Sequence, residues 1–175
     1  MDKSEFTARV LEAEQTMYHI AKSILHSDHD CADAVQEAIL KAFSKLGTLK
    51  EPQFFKTWVC RILIHECYKI ANSRKRVVAY DEYISCNNNA MYEDINIGLY
   101  DAIMRLDSKR RIVVALHYVE GFSVSEVARM LKIPQGTVKS RLSKARTELK
   151  LFLEEEEESS YEKHEKTSQR IPGTA

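Results

Sequence analysis

Hydrophobic residues recur along most of the chain every three or four positions, the spacing that places them on one face of an α-helix. Such stripes predict five helices before Gly121, over Phe6 to Leu25, Asp30 to Leu46, Phe54 to Ser73, Tyr92 to Leu106 and Ser108 to Val119. Strand-like alternation is scarce, and the chain has only five glycines and three prolines. The pattern therefore predicts an all-α protein.

The stretch from Gly121 to Lys150 predicts two further helices joined by a short turn. Ser123 is a suitable N-cap for the first, and Glu126 follows at the spacing of a capping box. Pro134 ends the first apolar run, because proline lacks the N–H of a continuing helix but fits a first turn. The second helix has an apolar face, and its opposite face is basic. This is the layout of a helix-turn-helix, whose second helix enters the DNA major groove, although a solvated basic face gives part of the same pattern.

Two surfaces in the first half of the chain carry candidate binding residues. Opposite its apolar stripe, the second predicted helix shows Asp33, Gln36 and Glu37, which are either ordinary surface residues or a docking site for a basic partner. The third predicted helix mixes aromatic and basic residues and ends in a basic run at residues 74–76. Rings that stack on unpaired bases beside cations that hold phosphates suit single-stranded nucleic acid. A core helix with a basic end fits the same composition, and periodicity leaves both alternatives open.

Helical periodicity is lost from Val77 to Met91, a stretch with three consecutive asparagines that is typical of a linker. We therefore predict two small helical domains, residues 1–76 and 92–153, joined by a flexible linker over residues 77–91. The second would be a four-helix domain that contains the helix-turn-helix.

Charge is distributed unevenly although the formal net charge is +0. Residues 123–150 carry seven basic and two acidic side chains, whereas residues 151–175 carry three basic and seven acidic ones. A DNA-facing segment is thus followed by an acidic tail over residues 154–175. Its composition cannot bury a core, so we predict disorder beyond about one further helical turn.

Several classes of function find no support in the sequence. No apolar run is long enough to span a membrane and no signal peptide begins the chain, so we expect a cytoplasmic protein without membrane insertion. The four cysteines lack the CxxC spacing of a preformed zinc knuckle. A metal site at Cys60, His65 and Cys67 is conceivable, but reduced cysteines in ordinary packing are expected in a cytosolic protein. No nucleophile constellation, phosphate loop or hydrolase metal site is apparent, which predicts no enzymatic activity and no cofactor.

Three motifs, in order, resemble those of a known family. They are DCADAVQEAILKAF (Asp30 to Phe43), FKTWVCRI (Phe55 to Ile62) and IPQGTVKSRLSKAR (Ile133 to Arg146). Over about residues 6–150 the chain resembles a bacterial RNA polymerase sigma factor of the extracytoplasmic-function subclass, which has two domains. The resemblance implies a factor that binds core RNA polymerase and promoter DNA. It also implies an anti-sigma factor, membrane-bound in many family members, that holds the factor inactive.

The resemblance also implies a role for individual residues. It assigns polymerase binding to Asp33, Gln36 and Glu37. It assigns recognition and melting of the minus-ten element to Lys50, Gln53, Lys56, Arg61, His65, Lys69 and Arg74. It assigns the duplex minus-thirty-five element to base contacts by Lys139, Ser140 and Ser143, and to phosphate contacts by Thr137, Arg141, Lys144 and Arg146.

Two residues depart from the family pattern. His65 stands where related sequences commonly have an asparagine that helps to hold a flipped base, and Lys132 stands where the turn often has glycine. Trp58 is expected to pack in the core. A stand-alone helix-turn-helix regulator, which would bind a duplex site without polymerase, is the alternative function.

Overall fold

A computed structural model describes residues 1–77 and 97–168, with side chains described over residues 1–73 and 98–154. All regular elements in these ranges are helical, which confirms the all-α prediction. The α-helices are α1 (Lys3–Ile24), α2 (Asp28–Ser44), α3 (Phe55–Val77), α4 (Ile97–Arg105), α5 (Ser108–Val114), α6 (Val124–Leu131) and α7 (Gln135–Ser168). Two short 3₁₀ turns, Leu46–Thr48 and Pro52–Phe54, join α2 to α3, and a π-helical turn, Ala115–Val119, follows α5.

Helices α1, α2 and α3 pack against one another and form the first domain. Helix α2 begins at Asp28, two residues before the predicted start, because the Ser27 hydroxyl accepts a bond from the Asp30 backbone N–H at 3.4 Å and caps the helix. Tyr18 and Lys22 of α1 both donate hydrogen bonds to the Asp28 side chain, which fixes the turn between the helices. Helical spacing places Leu11 and Phe43 in line with the apolar stripes of α1 and α2, but both side chains are exposed.

Helices α4 to α7 form the second domain, and its local signals behave as predicted. The Asp107 carboxylate accepts bonds from two backbone N–H groups and caps α5. Ser123 and Glu126 form both bonds of the capping box that starts α6, and Lys132 ends α6 in the left-handed conformation with φ +52°. The prediction of a single α-helix over residues 108–119 is wrong for the second half of that range. There the backbone widens into the π turn, and the Glu120 N–H donates to Ala115 O at 3.0 Å.

The acidic tail differs from its predicted disorder, since α7 continues as a helix to Ser168. Glutamate is a good helix former, and the nearest helix breakers further along, Pro172 and Gly173, come only after this point. At the start of the tail Lys150 and Glu154 form an ion pair one turn apart, at 3.6 Å. The predicted linker lies outside the described residues apart from Val77, the last residue of α3, and so do residues 169–175.

The two domains pack directly on each other. Helix α1 contacts α5 and the π turn, and α3 contacts α6. Nearly all buried hydrophobic side chains of both domains belong to one continuous cluster. This packing decides which of the candidate binding surfaces are open to a partner.

Candidate functional site

The acidic face of α2 is open. Asp33, Gln36 and Glu37 are all exposed on neighbouring turns and line one side of a cleft of about 400 Å³ between α2 and α3. Leu40 lies in the same cleft, and 66% of its surface is exposed. Leu40 falls outside the buried stripe of α2, so the sequence pattern itself contained the signal that it faces a partner or solvent. The face therefore offers two carboxylates and an amide around an apolar side chain.

A buried carboxylate ties this acidic face to α3. Glu66 of α3 is 3% exposed, and its carboxylate accepts a bond from Lys41 Nζ at 2.6 Å. Lys41 also pairs with Glu37 at 3.0 Å. Burial raises the pKa of Glu66, but the bonds and charges of its basic neighbours outweigh burial and hold that pKa below its usual value. The network keeps the α2 face in a fixed position relative to the basic face of α3.

The basic face of α3 consists of side chains spaced about one turn apart. Arg61, His65 and Lys69 are exposed along it, and Lys56 precedes them with 48% of its side chain exposed. Lys50 and Gln53 are exposed in the segment before the helix. Arg74 lies on the last turns of α3, where side chains are not described. Of the predicted minus-ten residues, the structure thus brings Lys56, Arg61, His65 and Lys69 onto one helix.

The aromatic residues of α3 divide into packing and exposed members. Trp58 packs against the core as expected, with its ring 5.9 Å from that of Phe55, but it stays half-buried. Tyr68 is exposed and follows His65 on the same face. Phe54, in the turn before α3, is also exposed. The ring best placed beside the basic residues is therefore that of Tyr68, which spacing alone did not single out.

The first half of α7 contains the residues predicted to form the recognition helix. Val138, Leu142 and Ala145 are buried against the domain, and the predicted contact residues Lys139, Ser140, Ser143, Lys144 and Arg146 are exposed. Thr137 and Arg141 are half-buried. Burial raises the pKa of Tyr68, and the charge of Arg141 partly counters this rise.

A buried carboxylate also joins the two domains. Glu120 Oε1 lies 2.7 Å from His19 Nδ1 of α1, and Glu120 Oε2 lies 3.9 Å from Lys56 Nζ of α3. Burial raises the pKa of Glu120, but bonds to His19 and Thr16 and the charges of His19 and Lys56 leave it below its usual value. No pattern in the sequence indicated this role, because it depends on contacts with residues about 60 to 100 positions away.

Two further contacts join the domains nearby. Lys56 Nζ lies 5.4 Å from the centre of the Phe122 ring, a cation–π geometry, and Thr57 Oγ1 donates to Glu126 Oε1 at 3.4 Å. Beyond them, Arg61, His65 and Tyr68 face the end of α6 across a cleft of about 420 Å³. The opposite wall of that cleft is formed by Met130, Leu131 and Lys132.

The conceivable metal site is not assembled. Cys60 and Cys67 are fully buried, whereas 79% of the His65 side chain is exposed on another face of α3. Burial raises the pKa of both thiols to about 12, so they stay protonated. Within the described residues no group of histidine, cysteine or carboxylate side chains could hold a metal ion, and no helix could span a membrane.

Two models of one protein family match the chain. The model for Sigma-70 region 2 matches residues 10–77, and that for Sigma-70, region 4 matches residues 97–149, so each falls on one of the two domains. The chain belongs to the sigma-70 family. This sigma factor is 27% identical over 152 residues to RNA polymerase sigma factor SigV of Bacillus subtilis, a match that covers 85% of this chain and 90% of SigV.

Other relatives are named as extracytoplasmic-function (ECF) sigma factors, the subclass to which this sigma factor also belongs. It is 28% identical over 155 residues to ECF RNA polymerase sigma factor SigM of Mycobacterium tuberculosis, which covers 87% of this chain and 79% of SigM. Its structure is similar to that of sigma factor RpoE from Bartonella quintana in complex with the anti-sigma factor NepR. That similarity has a TM-score of 0.74 at 26% identity, and covers 85% of this chain and 96% of that chain. One superposition thus spans both domains.

Proposed function

We propose that this sigma factor attaches to core RNA polymerase through the acidic face of α2. Asp33, Gln36 and Glu37 are exposed together, and exposed Leu40 supplies the apolar contact at their centre. Interfaces commonly combine a desolvated apolar anchor with a polar rim that selects the partner. A basic surface on the polymerase would complement the two carboxylates.

We further propose that the basic face of α3 opens and holds the minus-ten element. Lys56, Arg61 and Lys69 would contact phosphates, His65 would contact an extruded base, and Tyr68 would stack on an unpaired base. Unpairing costs a few kcal/mol, which stacking and pocket contacts to the extruded bases offset. Lys50, Gln53 and Arg74 extend the same surface toward both ends of α3.

The recognition helix would read the minus-thirty-five element as duplex DNA. Its exposed Lys139, Ser140 and Ser143 point away from the domain core and are suited to base edges, and Thr137, Arg141, Lys144 and Arg146 are suited to phosphates. Binding both elements through one polymerase-bound chain raises the effective concentration of each domain at its site. The sigma factor would act in the cytoplasm, without catalysing a reaction itself.

An anti-sigma factor is the proposed inhibitory partner. The arrangement of both domains resembles that of the Bartonella quintana sigma factor, whose structure contains the anti-sigma factor NepR. A protein that held the two domains together would keep their DNA-binding faces from reaching two separated promoter elements. The capture of both domains by one partner therefore fits the arrangement seen here.

The observation that carries the proposal is the placement of the acidic α2 face, the basic α3 face and the helix-turn-helix on one chain. Run-off transcription with purified core polymerase and a pool of genomic promoters tests it. We expect new start sites when the chain is added, and none from core polymerase alone. A chain that footprints duplex DNA unaided but yields no new start site would instead be a stand-alone regulator.

A further inference from the structure

The side chain of Glu66 holds the ring of His65, the residue proposed to contact an extruded base. Glu66 Oε1 lies 3.1 Å from His65 Nδ1, which is the distance of a hydrogen bond. The two residues are neighbours in sequence, but Glu66 is 3% exposed whereas 79% of the His65 side chain is exposed. One ring nitrogen of His65 is therefore bound to the protein, and the rest of the ring is open to a ligand.

The Glu66 carboxylate is itself fixed by cations of two helices. Its other oxygen, Oε2, accepts a hydrogen bond from Lys41 Nζ of α2 at 2.6 Å and lies 3.8 Å from Lys69 Nζ of α3. Lys41 is held in turn by Glu37, at 3.0 Å. Because these cations bind Oε2 of a buried carboxylate, Oε1 is presented to His65 in a fixed position.

This contact decides which nitrogen of the neutral His65 ring carries the proton. Burial raises the pKa of Glu66, but bonds from Lys41 and His65 and the charges of the basic neighbours hold that pKa below its usual value. The carboxylate is therefore ionised and can only accept hydrogen bonds, so its bond to His65 requires a proton on Nδ1. The other nitrogen of the neutral ring, Nε2, then has no proton and is a hydrogen-bond acceptor.

The acceptor at Nε2 lies beside groups that suit a nucleotide. Arg61, His65 and Tyr68 all line the cleft of about 420 Å³ between α3 and α6. Within the described parts of the chain, His65 forms its hydrogen bond through Nδ1, and no residue bonds to Nε2. A nucleotide at this face would thus meet a cation for its phosphate, a ring for stacking and one free acceptor for its base.

A lone acceptor discriminates among unpaired bases by the hydrogen-bonding groups on their edges. Adenine, cytosine and guanine each carry an exocyclic amino group that donates hydrogen bonds. Thymine has no amino group, and its N3–H lies between two carbonyl oxygens whose lone pairs would repel that of Nε2. Asparagine, the residue common at this position in related sequences, has both an amide donor and a carbonyl acceptor, so it can bond to either kind of base.

We propose that His65 is a specificity-determining residue of the minus-ten contact, whose Nε2 accepts a hydrogen bond from the amino group of an unpaired adenine, cytosine or guanine and disfavours thymine. Glu66 is the positioning residue, because it fixes the proton on Nδ1. This assignment rests on the proposed minus-ten role of α3 and names the class of base that the position selects.

Nuclear magnetic resonance of the free, full-length chain with ¹⁵N-labelled histidine tests the position of the proton. At about pH 8, where imidazole groups are largely neutral, we expect His65 to show a protonated Nδ1 and an unprotonated Nε2. Glu66→Gln, whose amide both donates and accepts, should produce a mixture of the two tautomers. The ring of His26, in the turn between α1 and α2, should not change. A proton on Nε2 of His65 in the unmodified chain would overturn the proposal.

Base selection is measured by run-off transcription with core polymerase on promoters whose minus-ten element is randomised. Sequencing of the transcribed promoters should reveal one position at which the unmodified chain uses thymine about tenfold less than the other bases, the effect of a single hydrogen bond. His65→Asn should abolish this depletion at the same position, and Glu66→Gln should reduce it. Glu14→Gln, which alters an exposed residue of α1, should leave it unchanged.

The two variants keep the test decisive. Glu66→Gln removes a buried charge, so circular dichroism must verify its helical content, whereas His65→Asn alters an exposed side chain and serves if Glu66→Gln does not fold. Thymine depletion that survives His65→Asn, or that occurs at no position in the unmodified chain, would overturn the proposal. A complete lack of transcripts from the unmodified chain would instead refute the proposed function, and the tautomer of His65 is measured without polymerase.

Discussion

The outer faces of α2 and α3 lie side by side on the first domain, but they differ in the contacts that their side chains make. Asp33 and Glu37 are contacted by side chains of their own helix, His29 at 3.1 Å and Lys41 at 3.0 Å. On α3, by contrast, Lys56 and Thr57 contact the second domain. A protein partner can therefore reach α2 without any rearrangement, whereas the start of the α3 face, at Lys56 and Thr57, already contacts the second domain and only its later part, at Arg61, His65 and Lys69, is freely exposed.

This difference suggests an order of events. Attachment to the polymerase through α2 leaves the interdomain contact intact, so it can precede separation of the domains. Once the polymerase positions the second domain elsewhere, Lys56 and Thr57 at the start of the α3 face become available as well. Variants of the two faces should consequently affect different steps of initiation.

The largest effect is expected from a charge reversal on the open face. Glu37→Lys should weaken binding to core polymerase by about 100-fold, because placing like charges across an interface costs several kcal/mol. Lost pairing with Lys41 contributes little, since the pair is partly exposed. Fluorescence titration of labelled sigma factor with core polymerase measures the change.

Glu14→Lys on α1 is the matched control, since Glu14 is also exposed but lies on another helix. It should bind core polymerase normally. Equal affinities of the Glu37→Lys variant and the unmodified chain would remove α2 from the polymerase interface. DNA binding by the second domain should remain unchanged in both variants.

A smaller effect is expected from removing an aromatic ring from the basic face of α3. Tyr68→Ala should reduce open-complex formation by the polymerase-bound factor about tenfold, because stacking on a base is worth about 1 to 3 kcal/mol. Permanganate reactivity of unpaired thymines measures the open complex, and Tyr68→Phe should retain most of it. Tyr118→Ala, which removes an exposed ring from the second domain, is the control. Full opening by Tyr68→Ala would contradict the stacking role.

The stability of the turn between Glu120 and Phe122 should be sensitive to a single added methyl group. Gly121 has φ +74°, and although an added Cβ would meet no atom within 4 Å, the left-handed conformation is strained for alanine. Gly121→Ala should lower the free energy of unfolding by about 1 to 2 kcal/mol in thermal denaturation. Gly47→Ala, where a Cβ is equally unhindered and φ is not positive, should be neutral or slightly stabilising. An equal loss in both variants would exclude backbone strain as the cause.

Local chemistry made much of this fold predictable. The caps at Asp107 and Ser123 each satisfy backbone N–H groups a few residues away, and Lys132 adopts the left-handed conformation expected from a position where glycine is common. The exposure of Leu40 could also be predicted, since Leu40 lies outside the apolar stripe of α2. Signals of this kind act within one or two helical turns, so the sequence displays them directly.

The structural features that the sequence did not reveal depend on tertiary contacts. Tyr18 and Lys22 of another helix bind Asp28 and fix the turn before α2, and the π turn interrupts a stripe with good helical periodicity. The role of Glu120 depends on His19 and Lys56, which belong to the other domain. A periodic pattern identifies the buried face of a helix, but it carries no information about which domain will cover the exposed one.

The smallest expected effect concerns Lys132, which ends α6 and borders the cleft between α3 and α6. Its φ of +52° is unfavourable for a side chain with a Cβ, so Lys132→Gly should raise the free energy of unfolding by up to about 1 kcal/mol. The same replacement at Lys139, inside α7, should lower it by about 1 kcal/mol, because glycine is a poor helix former. Opposite shifts of the thermal midpoint would assign the strain to the turn. A loss at both positions would instead show that the Lys132 side chain makes a stabilising contact that outweighs the backbone strain.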